Sequence, residues 1–227
     1  MPKVILIQGS SGSGKTTLIE KLIQHYTVRH FSIGVIKSYA HELKIDADAS
    51  KDSSKFHEAG AQKILMHQLD QHTLFSYQSP LSLNQIIPLH FSDFDLVFAE
   101  GFVNESTFPR IMLMHESLPL KAFTNIQNIL CFVADKPCIA PVPSLPVFTL
   151  PQLDAVIELI DQIPIEKPHC FLLINGKKVP MNHFVEDILT NTLLGLVHTI
   201  KHEDDEIQSV QLFISTSPAA SSDNTNS

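Results

Sequence analysis

Nine residues near the start of the chain, Gly9-Ser10-Ser11-Gly12-Ser13-Gly14-Lys15-Thr16-Thr17, combine a flexible backbone, one cation and several hydroxyls at a spacing suited to phosphate. They fit the pattern Gly, four residues, Gly-Lys-Ser/Thr, in which a loop turns successive backbone N–H groups inward around an anion. Glycines at 9, 12 and 14 permit backbone conformations closed to other residues. Lys15 is the expected catalytic cation against the β- and γ-phosphates, and the Thr16 hydroxyl is an expected Mg²⁺ ligand. Ser10, Ser13 and Thr17 complete the expected nucleotide-binding set within the loop.

Such a loop needs a buried strand before it and a helix after it. Val4-Ile5-Leu6-Ile7 reads as the strand, and Leu18, Ile19, Leu22, Ile23 and Tyr26 recur at helical spacing. The helix start adds unpaired N–H groups and the positive end of its dipole. A second strand over Phe31 to Ile36 ends on Lys37. Ligands of open parallel sheets bind beyond the carboxyl ends of the strands, so Lys37 is a candidate nucleotide-binding residue, with a solvated strand-end lysine as the alternative. A third apolar run, Phe94 to Ala99, ends in Glu100-Gly101 and sets a carboxylate opposite the loop. Glu100 is the expected catalytic acid, holding Mg²⁺ or a Mg-bound water. Asp135 follows a late strand over 129–133 and is a candidate for reading guanine N–H groups, although no Asn-Lys-x-Asp is present.

The remaining elements are expected around this frame. Residues 38–53 read as a long polar loop carrying His41 and Asp46, with Asp52 or Ser53 capping a helix that stops at Gly60-Ala61. Short strands are expected at 63–66 and 73–77, a helix over 82–87 broken by Pro88, and a strand over 111–114. The proline-rich stretch 137–151 reads as extended, and a helix follows through Val156 to a stop near Pro164. From Ile165 a separate module is expected: a strand over 170–174, an Asn175-Gly176 turn, a return over 177–179, a helix capped by Asn182 and a strand over 207–214. Residues 1–164 are thus one domain, 165–214 a small appendage and 215–227 a disordered tail. The fold class is a three-layer α/β phosphate-loop NTPase with a mostly parallel sheet, plus a small α+β module.

Composition narrows the partners. The 227 residues are 44% hydrophobic and 18% charged, with a formal net charge of -8 and only 16 Lys+Arg, which argues against a nucleic-acid surface. No apolar run approaches membrane-spanning length, and no secretory leader is read at the start, so a cytoplasmic location is expected. Cys131, Cys138 and Cys170 lack zinc-type spacing, and the twelve histidines are scattered singly.

Beyond the loop, Gly34-Val35-Ile36-Lys37, His41, Asp46, Lys51-Asp52-Ser53 with Ala59-Gly60-Ala61, and Glu100-Gly101-Phe102 with Pro109-Arg110-Ile111 occur in a telling order. Over roughly the first 165 residues the chain resembles the molybdopterin-guanine dinucleotide biosynthesis adaptor family, MobB. It departs from the family pattern at Ser38, Ser50 and Val103. The resemblance implies a dimeric protein that binds GTP with Mg²⁺, hydrolyses it slowly at most, and assists a MobA-like guanylyltransferase that joins GMP to molybdopterin. It also implies that Lys15 and Thr16 are phosphate and Mg²⁺ ligands, Glu100 the acid near the metal, and Lys37 and Asp46 site residues. A small-molecule or nucleoside kinase and a GTP-dependent metal-delivery protein are the alternatives; with only Arg29 and Arg110 in the chain, a basic lid is hard to supply.

Overall fold

The computed structural model describes residues 2–39, 47–77, 80–114, 126–138, 141–164, 170, 172–174, 177–200, 210, 212 and 214. The chain divides into two compact units, Met1–Pro180 and Met181–Ser227. The first is built on β1 (Lys3–Gly9), a strand whose side chains are buried on both faces. Ile5 and Ile7 join one core cluster and Val4 and Leu6 the other, as the two-residue period of a strand requires. A near-continuous apolar run is what a strand covered on both faces demands.

Five more strands complete the sheet: β2 (Ile33–Lys37), β5 (Leu96–Glu100), β6 (Arg110–Met114), β7 (Ile129–Ala134) and β8 (Val147–Thr149). Their order is β2-β5-β1-β6-β7-β8, and every pairing is parallel. Helices α1 (Lys15–Val28) and α4 (Leu153–Gln162) bury Leu18, Leu22, Val156 and Ile160 on one face of the sheet. Helix α3 (Leu83–His90) buries Leu83 and Ile87 against the other face. These three layers match the expected α/β architecture.

Beside the main sheet, β3 (Lys63–His67) and β4 (His72–Ser76) form an antiparallel pair. β9 (Leu172–Ile174) and β10 (Lys177–Val179) form another, with Ile174 opposite Lys177 across the Asn-Gly dipeptide. In the second unit, α5 (His183–Val197) is capped by Asn182, whose side chain accepts from the Val185 N–H at 3.0 Å. The expected strand over 207–214 falls for the most part outside the described residues, as does the tail from 215.

Three elements differ from expectation. Helix α2 spans Ala47–Glu58, so Asp52 and Ser53 lie inside it rather than capping it, and the polar connection is correspondingly shorter. Its stop is as expected: Gly60 adopts φ +108°, its N–H donates to the His57 carbonyl, and that of Ala61 to Phe56. Pro88 sits within α3 instead of ending it. The ring removes only the bond to Asn84, and the helix is secured by Gln85 accepting from the Ser82 N–H and by Phe91 N–H donating to Ile87. Finally, the proline-rich stretch contains β8, a short edge strand.

At the amino edge of the sheet a polar clamp ties the layers together. Lys3 Nζ donates to the Ile160 carbonyl at 2.8 Å, the Tyr26 hydroxyl to Asp161 at 3.1 Å, and Arg29 to Asp161 at 2.8 Å. Burial holds the Lys3 ammonium below its ordinary pKa and raises that of Tyr26. Because Tyr26 is 1% exposed, its ring rather than its hydroxyl carries most of its worth. Tyr26→Phe is expected to lower the unfolding free energy by about 1 kcal/mol and Tyr26→Ala by about 3–5 kcal/mol in urea denaturation. Equal losses in the two variants would assign the stability to the hydroxyl and contradict the packing account.

Candidate functional site

β1 ends at Gly9, and the chain turns through Ser10–Gly14 into α1. Gly14 is the residue before the helix and takes the left-handed conformation, φ +85°, which is costly for a residue with a Cβ. At Gly9 the constraint is space: a Cβ there would stand 2.7 Å from the Leu113 carbonyl oxygen and 2.7 Å from Ser13 Oγ. The loop is thus pressed against β6, and only a bare Cα fits.

Lys15 folds back over the loop, donating to the carbonyls of Gly9 at 3.1 Å and Ser10 at 2.7 Å. The first turn of α1 carries no acidic side chain, so nothing opposes an anion at its positive end. Thr16 and Thr17 are exposed in that turn, and a Cβ at Gly12 would meet no atom within 4 Å. Ser13 is 5% exposed, yet its Oγ has no hydrogen-bond partner. A polyphosphate fits these features: an open lip at Gly12, an orphan hydroxyl, a lysine on a short tether and a helix start free of carboxylates.

The neighbouring strand ends bring the other candidates together. Glu100 closes β5, aligned with Ile7 of β1 on one side and with Lys37 of β2 on the other. Glu100 Oε2 and Lys37 Nζ form an ion pair at 3.3 Å, with the carboxylate nearly buried and the ammonium more open. The loop, Glu100 and Lys37 therefore share the carboxyl edge of three adjacent strands, β1, β5 and β2. The hydroxyl of Thr16 and the carboxylate of Glu100 are hard oxygen donors of the kind Mg²⁺ takes. Bound there, the cation would neutralise phosphate charge.

Asp135 follows β7 at the same edge, with β6 between β7 and β1, and its side chain is exposed. Neither Asp46 nor His41 lies among the described residues. Of the cysteines, Cys131 is buried, which pushes its thiol up to about 12, and Cys138 is exposed. Among the described residues no group of three or more His, Cys, Asp or Glu is gathered as a metal centre.

Two residues at the site escaped the sequence reading as site residues, Gln8 and Arg110, both 3% exposed. Gln8 Nε2 donates to the carbonyls of Gly101 and Phe102, and Arg110 donates to Gln8 Oε1 and to the Glu105 carbonyl. A glutamine closing a buried apolar strand was the available signal, since buried polar side chains need specific partners.

Residues 4–135, more than half of the chain and every element from β1 to the end of β7, match the family model described as molybdopterin guanine dinucleotide synthesis protein B. The chain belongs to the MobB family. It is 35% identical over 130 residues to the molybdopterin-guanine dinucleotide biosynthesis adapter protein of Haemophilus influenzae, covering 56% of this chain and 71% of that one. A relative from Methanocaldococcus jannaschii is 25% identical over 229 residues, covering 89% of this chain and 94% of that one, so its likeness extends beyond Pro164. The crystal structure of Bacillus subtilis MobB shares the fold, with a TM-score of 0.57 at 22% identity over 70% of this chain and 98% of that one.

The turn after Glu100 also carries a titrating group. Burial alone would raise the Glu105 carboxyl pKa, but hydrogen bonds from Thr107 and Ser106 and the charge of Arg110 outweigh it and hold the pKa below its ordinary value. A carboxyl depressed in the folded state binds fewer protons than in the unfolded chain, so its stabilisation is present above the unfolded value of about 4.3 and is lost as pH falls through the folded value. Glu105→Gln is expected to reduce stability at neutral pH and to flatten the acid limb of a urea-midpoint profile taken between about pH 3 and 6. An acid limb of unchanged slope would show that the carboxylate does not hold this turn.

Proposed function

We propose that the protein is an adapter in molybdopterin-guanine dinucleotide biosynthesis that binds GTP with Mg²⁺ at the carboxyl edge of β1. In this reading it assists a MobA-like guanylyltransferase in attaching GMP to molybdopterin, acts as a homodimer and turns GTP over slowly at most. Residues 1–164 would form the nucleotide-binding domain and 165–214 an appended module. The observation that carries the reading is the conjunction of the Gly9–Thr17 loop with Glu100 and Lys37 at adjacent strand ends in a chain of this family.

The roles follow from chemistry. Loop N–H groups and the start of α1 would cradle the phosphates, Lys15 would exchange its loop carbonyls for phosphate oxygens, and Thr16 and Glu100 would hold Mg²⁺. Lys37 and Asp46 would complete the polar rim, and Asp135 would accept from the guanine ring. Slow turnover is supported by the two arginines: Arg29 pairs with Asp161 at the opposite edge of the sheet, and Arg110 is buried beneath the turn after Glu100. Neither is free to stabilise a transferring phosphoryl group, which also disfavours the kinase alternative.

Calorimetric titration with GTP and with ATP, each with Mg²⁺, tests the assignment. GTP is expected to bind more tightly than ATP, and Lys15→Ala to weaken GTP binding by about tenfold or more, the worth of a charged hydrogen bond to phosphate. A preference for ATP would overturn the guanine assignment and move the kinase reading to the front.

A further inference from the structure

The chain leaves Glu100 through a conformation that needs support. Gly101 takes φ +94° and Phe102 φ +51°, two successive left-handed residues, the second of which carries a side chain. A Cβ at Gly101 would stand 3.0 Å from that of Ser38, so the turn is also pressed toward the residue that follows β2. The backbone on either side is fixed by the sheet: Ser38 N–H donates to the Glu100 carbonyl at 2.9 Å and Gly101 N–H to that of Ile7 at 3.3 Å.

The turn itself is held by the Glu105 N–H, which donates to the Phe102 carbonyl at 3.0 Å, and by one side chain from β1. Gln8 Nε2 donates to the Gly101 carbonyl at 3.2 Å and to that of Phe102 at 2.9 Å. Its Oε1 accepts from Arg110 Nη1 at 3.0 Å. A guanidinium has donors only, so the glutamine must present its oxygen to Arg110 and its NH₂ to the turn. Arg110 is itself anchored by donating Nη2 to the Glu105 carbonyl, while its Nε has no partner. The order of dependence is therefore Arg110, then the amide of Gln8, then the turn, then the direction in which Glu100 leaves its strand.

We propose that Gln8, oriented by Arg110, is a positioning residue that fixes the Glu100 carboxylate for Mg²⁺. This rests on the reading of Glu100 as the acid near the metal. Gln8 touches neither the nucleotide nor the metal; it acts through the 101–102 turn. Its loss therefore weakens the part of nucleotide affinity that Mg²⁺ contributes and leaves the part contributed by the loop.

Gln8→Glu is the discriminating change. It keeps the side-chain size and gives Arg110 an ionic partner, but it sets a carboxylate oxygen against the two turn carbonyls in place of a donor. Gln8→Met, which removes both contacts without adding charge, serves as the second variant. GTP affinity is measured by calorimetry with Mg²⁺ and with EDTA in the wild type, both Gln8 variants, Glu100→Gln and the Gln8→Glu/Glu100→Gln double variant, with thermal unfolding alongside.

The expected result is a loss of about fivefold or more in the Mg²⁺-dependent gain for each Gln8 variant, with affinity in EDTA unchanged. The double variant should be no worse than Glu100→Gln alone, because the two act as one unit. Equal losses with and without Mg²⁺ would reduce Gln8 to a structural role and overturn the proposal. A full Mg²⁺ gain in both Gln8 variants beside a loss in Glu100→Gln would also overturn it while leaving Glu100 at the metal. A full gain in Glu100→Gln would remove the underlying reading, and the proposal with it.

Discussion

β1 is hydrogen-bonded along its lower part to β5, with Lys3 through Ile7 opposite Leu96 through Glu100, and along its upper part to β6, with Leu6 through Gly9 opposite Arg110 through Leu113. The two neighbours are thus staggered by most of a strand length. The chain leaves β5 at the height of Ile7 and re-enters at the height of Leu6, so residues 101–109 need climb almost nothing, and a short loop replaces the crossover helix that parallel strands ordinarily require. Much else follows from this stagger. β6 rises beside the phosphate-type loop, so that Leu113 closes on Gly9, while β5 stops short and leaves Glu100 at the rim.

The same stagger explains where the buried cations lie. Arg110 begins β6 level with Ala99, one residue before β5 ends, beneath the turn that β5 makes on its way out. It donates to neutral acceptors, the amide oxygen of Gln8 and the Glu105 carbonyl, and burial lowers its pKa. Lys3 occupies the corresponding position at the amino edge, where it meets the Ile160 carbonyl in the last turn of α4. Carbonyls at a helix end carry partial negative charge, so an ammonium there is stabilised without a carboxylate in contact. Lys3 thus ties β1 to α4, and Arg110 ties β6 to β1 and to the segment that follows β5.

Much of this was legible in the chain. The loop spacing, the apolar runs before Gly9 and Glu100, and the Asn182 cap are local signals with few competing explanations, and the structure has each where it was read. The later part of α2 and its stop at Gly60 were legible, but its start reads as Asp52 or Ser53 rather than Ala47 because the helix has almost no apolar stripe: Ser53 is 1% exposed, while Phe56 is half exposed. β8 was hidden because it is three residues long among prolines, and its strand character comes only from pairing with β7. The Gln8–Arg110 contact joins positions 102 residues apart, and no periodicity within one segment can report a pairing of that range.

The charges at the carboxyl edge bear on how strongly the proposed site would bind. Lys15 already has two carbonyl acceptors, and Glu100 and Lys37 already have each other. The proposed binding of a magnesium nucleotide would therefore exchange partners rather than add them, and the net gain would be the difference between a charged phosphate contact and the contact given up. Contacts of this kind are each worth about 1–3 kcal/mol, with the more open Lys37 at the low end because water screens it. The gain from those side chains would be modest, and the larger share of affinity would fall to the loop amides and the helix start, whose geometry is fixed before any anion arrives. That division would suit the proposed adapter role, since a site whose charges are satisfied in more than one arrangement would hold a nucleotide without committing the chain to rapid hydrolysis.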